Sequence, residues 1–421
     1  MMDLKYLDKY KDEVDRCVRC GGCQASCPTY AYSGDESMVA RGRMALVQAV
    51  IEGRLGFTGG FEKSIDSCLD CKACTKSCAS DVKVDEIIYA AKAEIAAANG
   101  CNPLEKLLSK NVFIKSQRHP LLVRLAGLVK KLFYDPLPDF LPLPSPLKSL
   151  GKKRKLPAIG STPLRKRRKL TKKLTNPSGR VAFYVGCATN MVHQHIGEAM
   201  IKVLEHNNIE VTLVNNEQCC GIPFLSKGDR ETAEQLAKAN IEAFASLKVD
   251  ALLSCCATCS ATLKDYPKWI DDEKAKALSA KVMDIHYYLA HHSDYKKGLG
   301  KIDESITWHD PCHLGRGQDV MDEPREILRS IPGLKFTEMS KPCQCCGFGG
   351  EVSLNDYKMS MTIAGDKVLS VKDSGAEELV TGCPACIMHM EDALNHFGHV
   401  IPVRHTVEYL AEAYKAGKKE K

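Results

Sequence analysis

Cysteines fall in two kinds of pattern in this chain. Near the N-terminus Cys17, Cys20, Cys23 and Cys27 follow a C-x2-C-x2-C-x3-C spacing, and Cys68, Cys71, Cys74 and Cys78 repeat it. Farther along, two adjacent cysteines precede a glycine twice, as "EQCCG" at 217–221 and "CQCCG" at 343–347. Thiolates are soft metal ligands and redox groups, so such clustering points to metal or electron chemistry. Neighbouring side chains on an extended strand face opposite ways, and two adjacent thiols share a target only where the backbone turns. A following glycine permits that turn through positive φ.

The close triple spacing is that of the bacterial ferredoxin run, whose four thiolates hold a cubane [4Fe–4S] cluster. A zinc module instead separates two CxxC pairs by a longer loop. Pro28 follows the first run, whereas Ala79 follows the second. Two runs together imply the arrangement in which each fourth cysteine ligates the other cluster. The expected sets are Cys17, Cys20 and Cys23 with Cys78, and Cys68, Cys71 and Cys74 with Cys27.

The doubled cysteines belong to longer sets. The first holds Cys187, Cys219, Cys220, Cys256 and Cys259; the second holds Cys312, Cys345, Cys346, Cys383 and Cys386. In each, a lone cysteine follows one apolar run ("VAFYVGC", "SITWHDPC"), CCG follows a second, and CxxC follows a third ("ALLSCC", "EELVTGC"). These runs alternate with helical stretches, the pattern of parallel α/β units, and the programme is written twice, an internal repeat. Ligands collect at strand C-terminal ends in such folds, so five thiols per repeat are expected to converge there. A vicinal disulfide, a zinc site or inert buried thiols are the alternatives for either set. Cys101, Cys255 and Cys343 fall outside both patterns.

The elements that must position these residues divide the chain into an all-helical segment 1–100, a Pro-rich basic segment 101–178 read as a linker, and α/β domains 179–300 and 301–421. Helical periodicity is clear over 37–53 and 85–100. The net charge of +7 is local: twelve Lys or Arg and no acid lie between Lys148 and Lys173, leaving about −5 for the remainder. That tract carries no interleaved aromatics, so nucleic acid is not an expected partner. "PLLVRLAGLVKKLFYDPL" with the basic residues after it reads either as a membrane-surface helix or as a solvated linker. No run of 18 apolar residues and no secretory signal are visible, so a cytoplasmic location, or a peripheral one on the inner face of a membrane, is expected.

At these residues the sequence resembles the CCG-domain iron–sulfur proteins. That family includes the D-type subunit of heterodisulfide reductase, the glycolate oxidase iron–sulfur subunit and the lactate-utilisation iron–sulfur protein. "CVRCGGCQASCPTY…GDE…RGRMAL" is similar to the glycolate oxidase type, while "HDPCHLGR" (309–316) and "CCGFGG" (345–350) resemble the other two. The resemblance implies an oxidoreductase subunit with two [4Fe–4S] cubanes and one or two further clusters, of the noncubane kind, at the CCG motifs. It implies electron relay between an FAD-containing 2-hydroxy-acid dehydrogenase and a quinone or membrane cytochrome partner. Complete CxxC pairs in both repeats resemble heterodisulfide reductase, and imply the alternative that a CCG-bound cluster reduces a disulfide. His309 and His313, flanking Cys312, are then candidate proton donors, with an ordinary hydrogen-bonding role as the alternative. No Gly-rich dinucleotide fingerprint is present, so a flavin belongs on another subunit.

Overall fold

The computed structural model describes residues 4–100, 154–155, 162–167, 171–214 and 216–419. The expectations for Cys101, for the 120–137 helix and for most of the basic tract lie outside these residues. The described residues form two compact units: one comprises 4–100 with segments 221–233 and 344–367, and the other comprises the rest of them.

Over 4–100 the first unit is helical, with no strand among the described residues. Its longer helices, Ala40–Ile51 and Val84–Asn99, fall where the periodicity places them. Met44, Val47 and Val50 from one helix meet Val84, Ile87 and Ile88 from the other, with Phe61 and Ile65 between. Burying side chains of this size stabilises by roughly 1.5–3 kcal/mol each. The buried Glu94 carboxylate accepts the backbone N–H groups of Lys5, Tyr6 and Leu7, which ties the N-terminal segment to the last helix. The helix Ala40–Ile51 starts so close to the preceding turn that a Cβ on Gly42 would lie 1.9 Å from the Glu36 carbonyl oxygen.

The second unit contains two four-stranded parallel sheets of one design. Strands β1 (Gly179–Phe183), β2 (Ile209–Leu213), β3 (Ala251–Ser254) and β4 (Val282–Asp284) run in the order β2-β1-β3-β4. Strands β5 (Ser305–His309), β6 (Lys335–Phe336), β7 (Glu378–Thr381) and β8 (Val403–His405) run as β6-β5-β7-β8. All six pairings are parallel, as helical crossovers require. The fold is thus a helical N-terminal region followed by two repeated α/β regions, as expected.

The repeats pack on one another through polar contacts that periodicity does not announce. Tyr414 of the second stacks on His206 of the first at 3.7 Å and accepts a hydrogen bond from Asn207. His405, fully buried at the end of β8, donates through Nε2 to the Cys255 carbonyl at 2.9 Å and accepts the Val407 N–H at Nδ1. Both ring nitrogens are therefore satisfied only in the neutral imidazole.

Part of the segment read as linker departs from that reading. Leu164 is fully buried, the Thr162 carbonyl accepts from Gln194, and the Arg165 N–H donates to Asn190. Arg167 pairs with Glu198. Residues 162–167 are thus a strap packed on the first repeat, and Arg165 and Arg167 have acidic partners there. Composition shows a basic, proline-rich stretch; it cannot show which acids of the fold neutralise it. No helix among the described residues is long and apolar enough to cross a membrane.

This packing sets the sign of two stability effects. Gly42→Ala improves intrinsic helix propensity by about 1 kcal/mol, but the methyl group meets backbone, and overpacking costs about 1–3 kcal/mol or more; net destabilisation is expected in denaturant unfolding, against the propensity sign. For His405, burial and the neighbouring His286 push the pKa down to about 3, against roughly 6.5 unfolded. Its contribution is fully present above about pH 6.5 and is lost as pH falls towards 3, at roughly 1.4 kcal/mol per pH unit. Urea midpoints measured at about pH 7 and about pH 5 should fall accordingly in the native chain, and less steeply in His405→Gln.

Candidate metal centres

Each ferredoxin-type run folds around two left-handed residues at matching places. In the first, Arg19 and Gly21 have φ of 55° and 83°; in the second, Asp70 and Lys72 have φ of 51° and 59°. Three of these four are not glycine, and such residues occupy this region sparingly, mostly where the surroundings enforce it. The turns bring three thiols of a run to one side.

Two voids result. One is lined by Cys17, Cys20, Cys23 and Cys78, with Cys74 also on its wall. The other is lined by Cys27, Cys68, Cys71 and Cys74. Three cysteines of one run thus meet the fourth of the other, in both directions. The surroundings differ. Cys20, on the first void, is exposed to solvent, whereas Cys27 and Cys71 on the second are buried. Around the second void two buried ion pairs stand, Lys72–Asp85 and Lys92–Asp70, each at 2.8 Å. The Val82 N–H donates to Cys78 Sγ at 3.4 Å.

Burial pushes the Cys68 thiol up to about 12 and the Cys74 thiol well above its ordinary value. Crowded thiols out of water hold their protons unless a cation replaces them. Four sulfur donors around a void are the donor set of an iron–sulfur cubane, so these residues fit that group.

In the first α/β repeat all five predicted cysteines meet. Cys187 opens the helix Cys187–Met191 after β1, Cys219 and Cys220 follow β2, and Cys256 and Cys259 follow β3. The Cys219 thiol hydrogen-bonds those of Cys187 and Cys220, and Cys259 those of Cys220 and Cys256. Gly221 adopts φ 98°, the turn that a doubled cysteine needs. The loop is held from behind: Asn240 donates to the Cys219 carbonyl, Tyr266 to that of Cys220, and Tyr184 to that of Gln218.

In the second repeat Cys312 opens the helix Cys312–Gln318 after β5, and Cys383 and Cys386 follow β7. Cys345 and Cys346 lie in segment 344–367, where Gly347 has φ 92° and its N–H donates to Cys345 Sγ at 3.5 Å. Cys383 hydrogen-bonds both Cys386 and Cys256 of the first repeat, and accepts or donates to Thr258 at 3.5 Å. The two CxxC pairs therefore touch, which separate sites in the sequence do not suggest. His309 is fully buried at the end of β5, and His313 Nδ1 lies 3.4 Å from Cys312 Sγ.

Carboxylates stand behind these loops, and cysteine spacing does not reveal them. Glu217, two residues before Cys219, is buried and accepts the N–H groups of Val185 and Gly186, with Arg165 of the strap 3.7 Å away. In the second repeat the matching position is Cys343, and the carboxylate sits across from it instead. Asp310, two residues before Cys312, accepts from Cys343 Sγ at 3.2 Å, from Trp308 and from both Nη atoms of Arg325. Burial raises Asp310, but the hydrogen bonds from Arg325 and Trp308 outweigh it and hold the carboxyl below its ordinary value. Each repeat thus sets one arginine–carboxylate pair behind its cysteines, fully buried in the first and part-buried in the second, with the acid on opposite loops. The signal in the sequence is an acid two residues ahead of a patterned cysteine.

Comparisons with known proteins agree with this geometry. Residues 181–264 and 306–391 match the cysteine-rich domain (CCG), and residues 13–82 match the 4Fe-4S dicluster domain. The chain is 32% identical to the probable glycolate oxidase iron–sulfur subunit of Bacillus subtilis, over 96% of each protein. It is 25% identical to the D-type subunit of the dihydromethanophenazine:CoB–CoM heterodisulfide reductase of Methanosarcina acetivorans, over 95% of this chain and 94% of that one. A solved structure of a hypothetical protein from Helicobacter pylori shares the fold at TM-score 0.52 and 11% identity, covering 98% of this chain and 77% of that one. With 4Fe–4S and CCG domains in the order its cysteines announce, the chain belongs to the CCG-domain iron–sulfur family, the iron–sulfur subunits of multi-subunit oxidoreductases.

Proposed function

We propose that this chain is the electron-transfer subunit of a 2-hydroxy-acid oxidoreductase complex, working between an FAD-containing dehydrogenase subunit and a quinone or membrane cytochrome acceptor at the inner face of a membrane. The observation that carries the reading is the crossed lining of the two voids, three cysteines of one run with the fourth of the other. Whole-length similarity to a subunit named for glycolate oxidase supports the substrate class. Iron–sulfur clusters supply one-electron steps without protons. Cys17, Cys20, Cys23 and Cys78 would hold one cubane, and Cys27, Cys68, Cys71 and Cys74 the other. Cys187, Cys219, Cys220, Cys256 and Cys259 form the third set, and Cys312, Cys345, Cys346, Cys383 and Cys386 the fourth. The carboxylate–arginine pairs fix the loops, so the thiols are held in place before iron arrives.

One contact favours a second reading, reduction of a disulfide at the CCG sites. Cys256 and Cys383 touch, so the two CxxC pairs offer one place rather than two. His313, against Cys312, would then give a proton to a departing thiolate. Turnover of a mixed disulfide by the isolated chain with a reduced dye separates the readings; the electron-transfer role requires that there be none.

Anaerobically purified protein should contain about 16 iron, four for each of four clusters. Cys78→Ser should perturb the same EPR signal as Cys20→Ser, while Cys27→Ser perturbs the one altered by Cys71→Ser; pairing within each run would defeat the crossed assignment. Arg165→Met removes the counter-ion of a fully buried carboxylate, a loss of about 3–5 kcal/mol for such pairs. It should release about a quarter of the iron, the cluster of the third set, and leave both ferredoxin-type signals intact.

A further inference from the structure

The tripeptide Arg41-Gly42-Arg43 opens the helix Ala40–Ile51 and sends one guanidinium to each void: Arg41 lines the first and Arg43 the second. Their charges are not equivalent. Arg41 is part-exposed and paired with Glu36 at 2.6 Å. The other cation on that wall, Arg19, is exposed and donates to Gln48. Water and salt screen both.

Arg43 is 3% exposed. It donates to the Ser64 carbonyl at 2.8 Å, to Thr29 Oγ1 at 3.2 Å and to Ser67 Oγ at 2.9 Å, all neutral oxygens. Among the described residues it has no carboxylate partner. The other charges at this void cancel, Lys72 against Asp85 and Lys92 against Asp70. Isolated buried cations are costly, and one that survives here needs an anion. The thiolates of Cys27, Cys68, Cys71 and Cys74 are the anions this void offers, and Thr29 Oγ1, which Arg43 holds, lies 3.2 Å from Cys27 Sγ.

We propose that Arg43 is the built-in counter-charge of the inner four-thiol void, and that it makes the cluster held there the higher-potential member of the ferredoxin-type pair. This rests on the ligand sets proposed above. A cluster gains one negative charge on reduction, so a fixed cation in a low-dielectric wall favours the reduced form. Arg41 gives its void no such advantage. Electrons arriving at the more exposed cluster therefore pass inward and rest at the buried one.

An EPR-monitored redox titration of the full, anaerobically loaded chain tests this, with the inner signal identified as the one altered by Cys71→Ser. Arg43→Gln should lower the inner midpoint by at least a tenfold change in equilibrium constant, about 59 mV for one electron, and leave the outer one in place. Asp70→Asn removes the partner of Lys92 and should raise the same midpoint; asparagine tolerates the left-handed conformation at that position. Ser67→Ala loses a hydrogen bond to Arg43 but no charge, and should move neither. An inner midpoint unmoved in Arg43→Gln, or both midpoints falling together, overturns the proposal. If Arg43→Gln loads no iron, Asp70→Asn decides by sign: a rise supports the assignment and no rise overturns it. Native protein with no four-iron signals overturns the ligand sets themselves, a result distinct from these.

Discussion

Gathering thiols out of water is the constraint on which the rest of the structure depends. Deprotonated sulfurs in one void repel each other and lose hydration, while protonated ones cannot hold iron. Burial is the largest cause that drives the Cys68 thiol up to about 12. The fold therefore supplies directed N–H groups, left-handed turns that aim the sulfurs, and cations placed behind them. These thiolates would hold iron in place of their protons, and the binding free energy would then become part of the folding free energy.

The two halves meet this constraint with different backbone. In the helical unit, short loops with paired left-handed residues turn each run inward, and buried lysine–aspartate pairs wall the inner void. In the first α/β repeat, five cysteines stand at the C-terminal ends of three parallel strands and meet there. There the loops are braced by Tyr184, Asn240 and Tyr266 in the first repeat and by the Arg325–Asp310 pair in the second. Glu217 in the first repeat and Asp310 in the second put the carboxylate on different loops, yet each is paired with an arginine.

Contact between Cys256 and Cys383 joins the repeats at their chemical ends, and His405 reaching the Cys255 carbonyl stiffens the same junction. Cys255, Cys256, Cys383 and His405 are all buried at this junction. Relatives of this chain are named as subunits of oxidoreductases.

The sequence by itself determined the thiol sets, the helical and twofold α/β organisation, and the glycine turn after each doubled cysteine. All of these are local: spacing, periodicity and the conformational freedom of one residue type. The crossed lining of the voids was also legible, because the ferredoxin-type spacing implies it. Tertiary structure alone decided the partners. Glu217 with Arg165, and Asp310 with Arg325 and Cys343, join residues from 15 to 52 positions apart. A basic, proline-rich stretch carries no sign of which buried acid it will meet, since charge pairing is settled by where the folded chain places each end. For the same reason Arg41 and Arg43, alike in sequence, differ in surroundings: one faces water and an acid, the other is buried among neutral oxygens at the edge of the inner void.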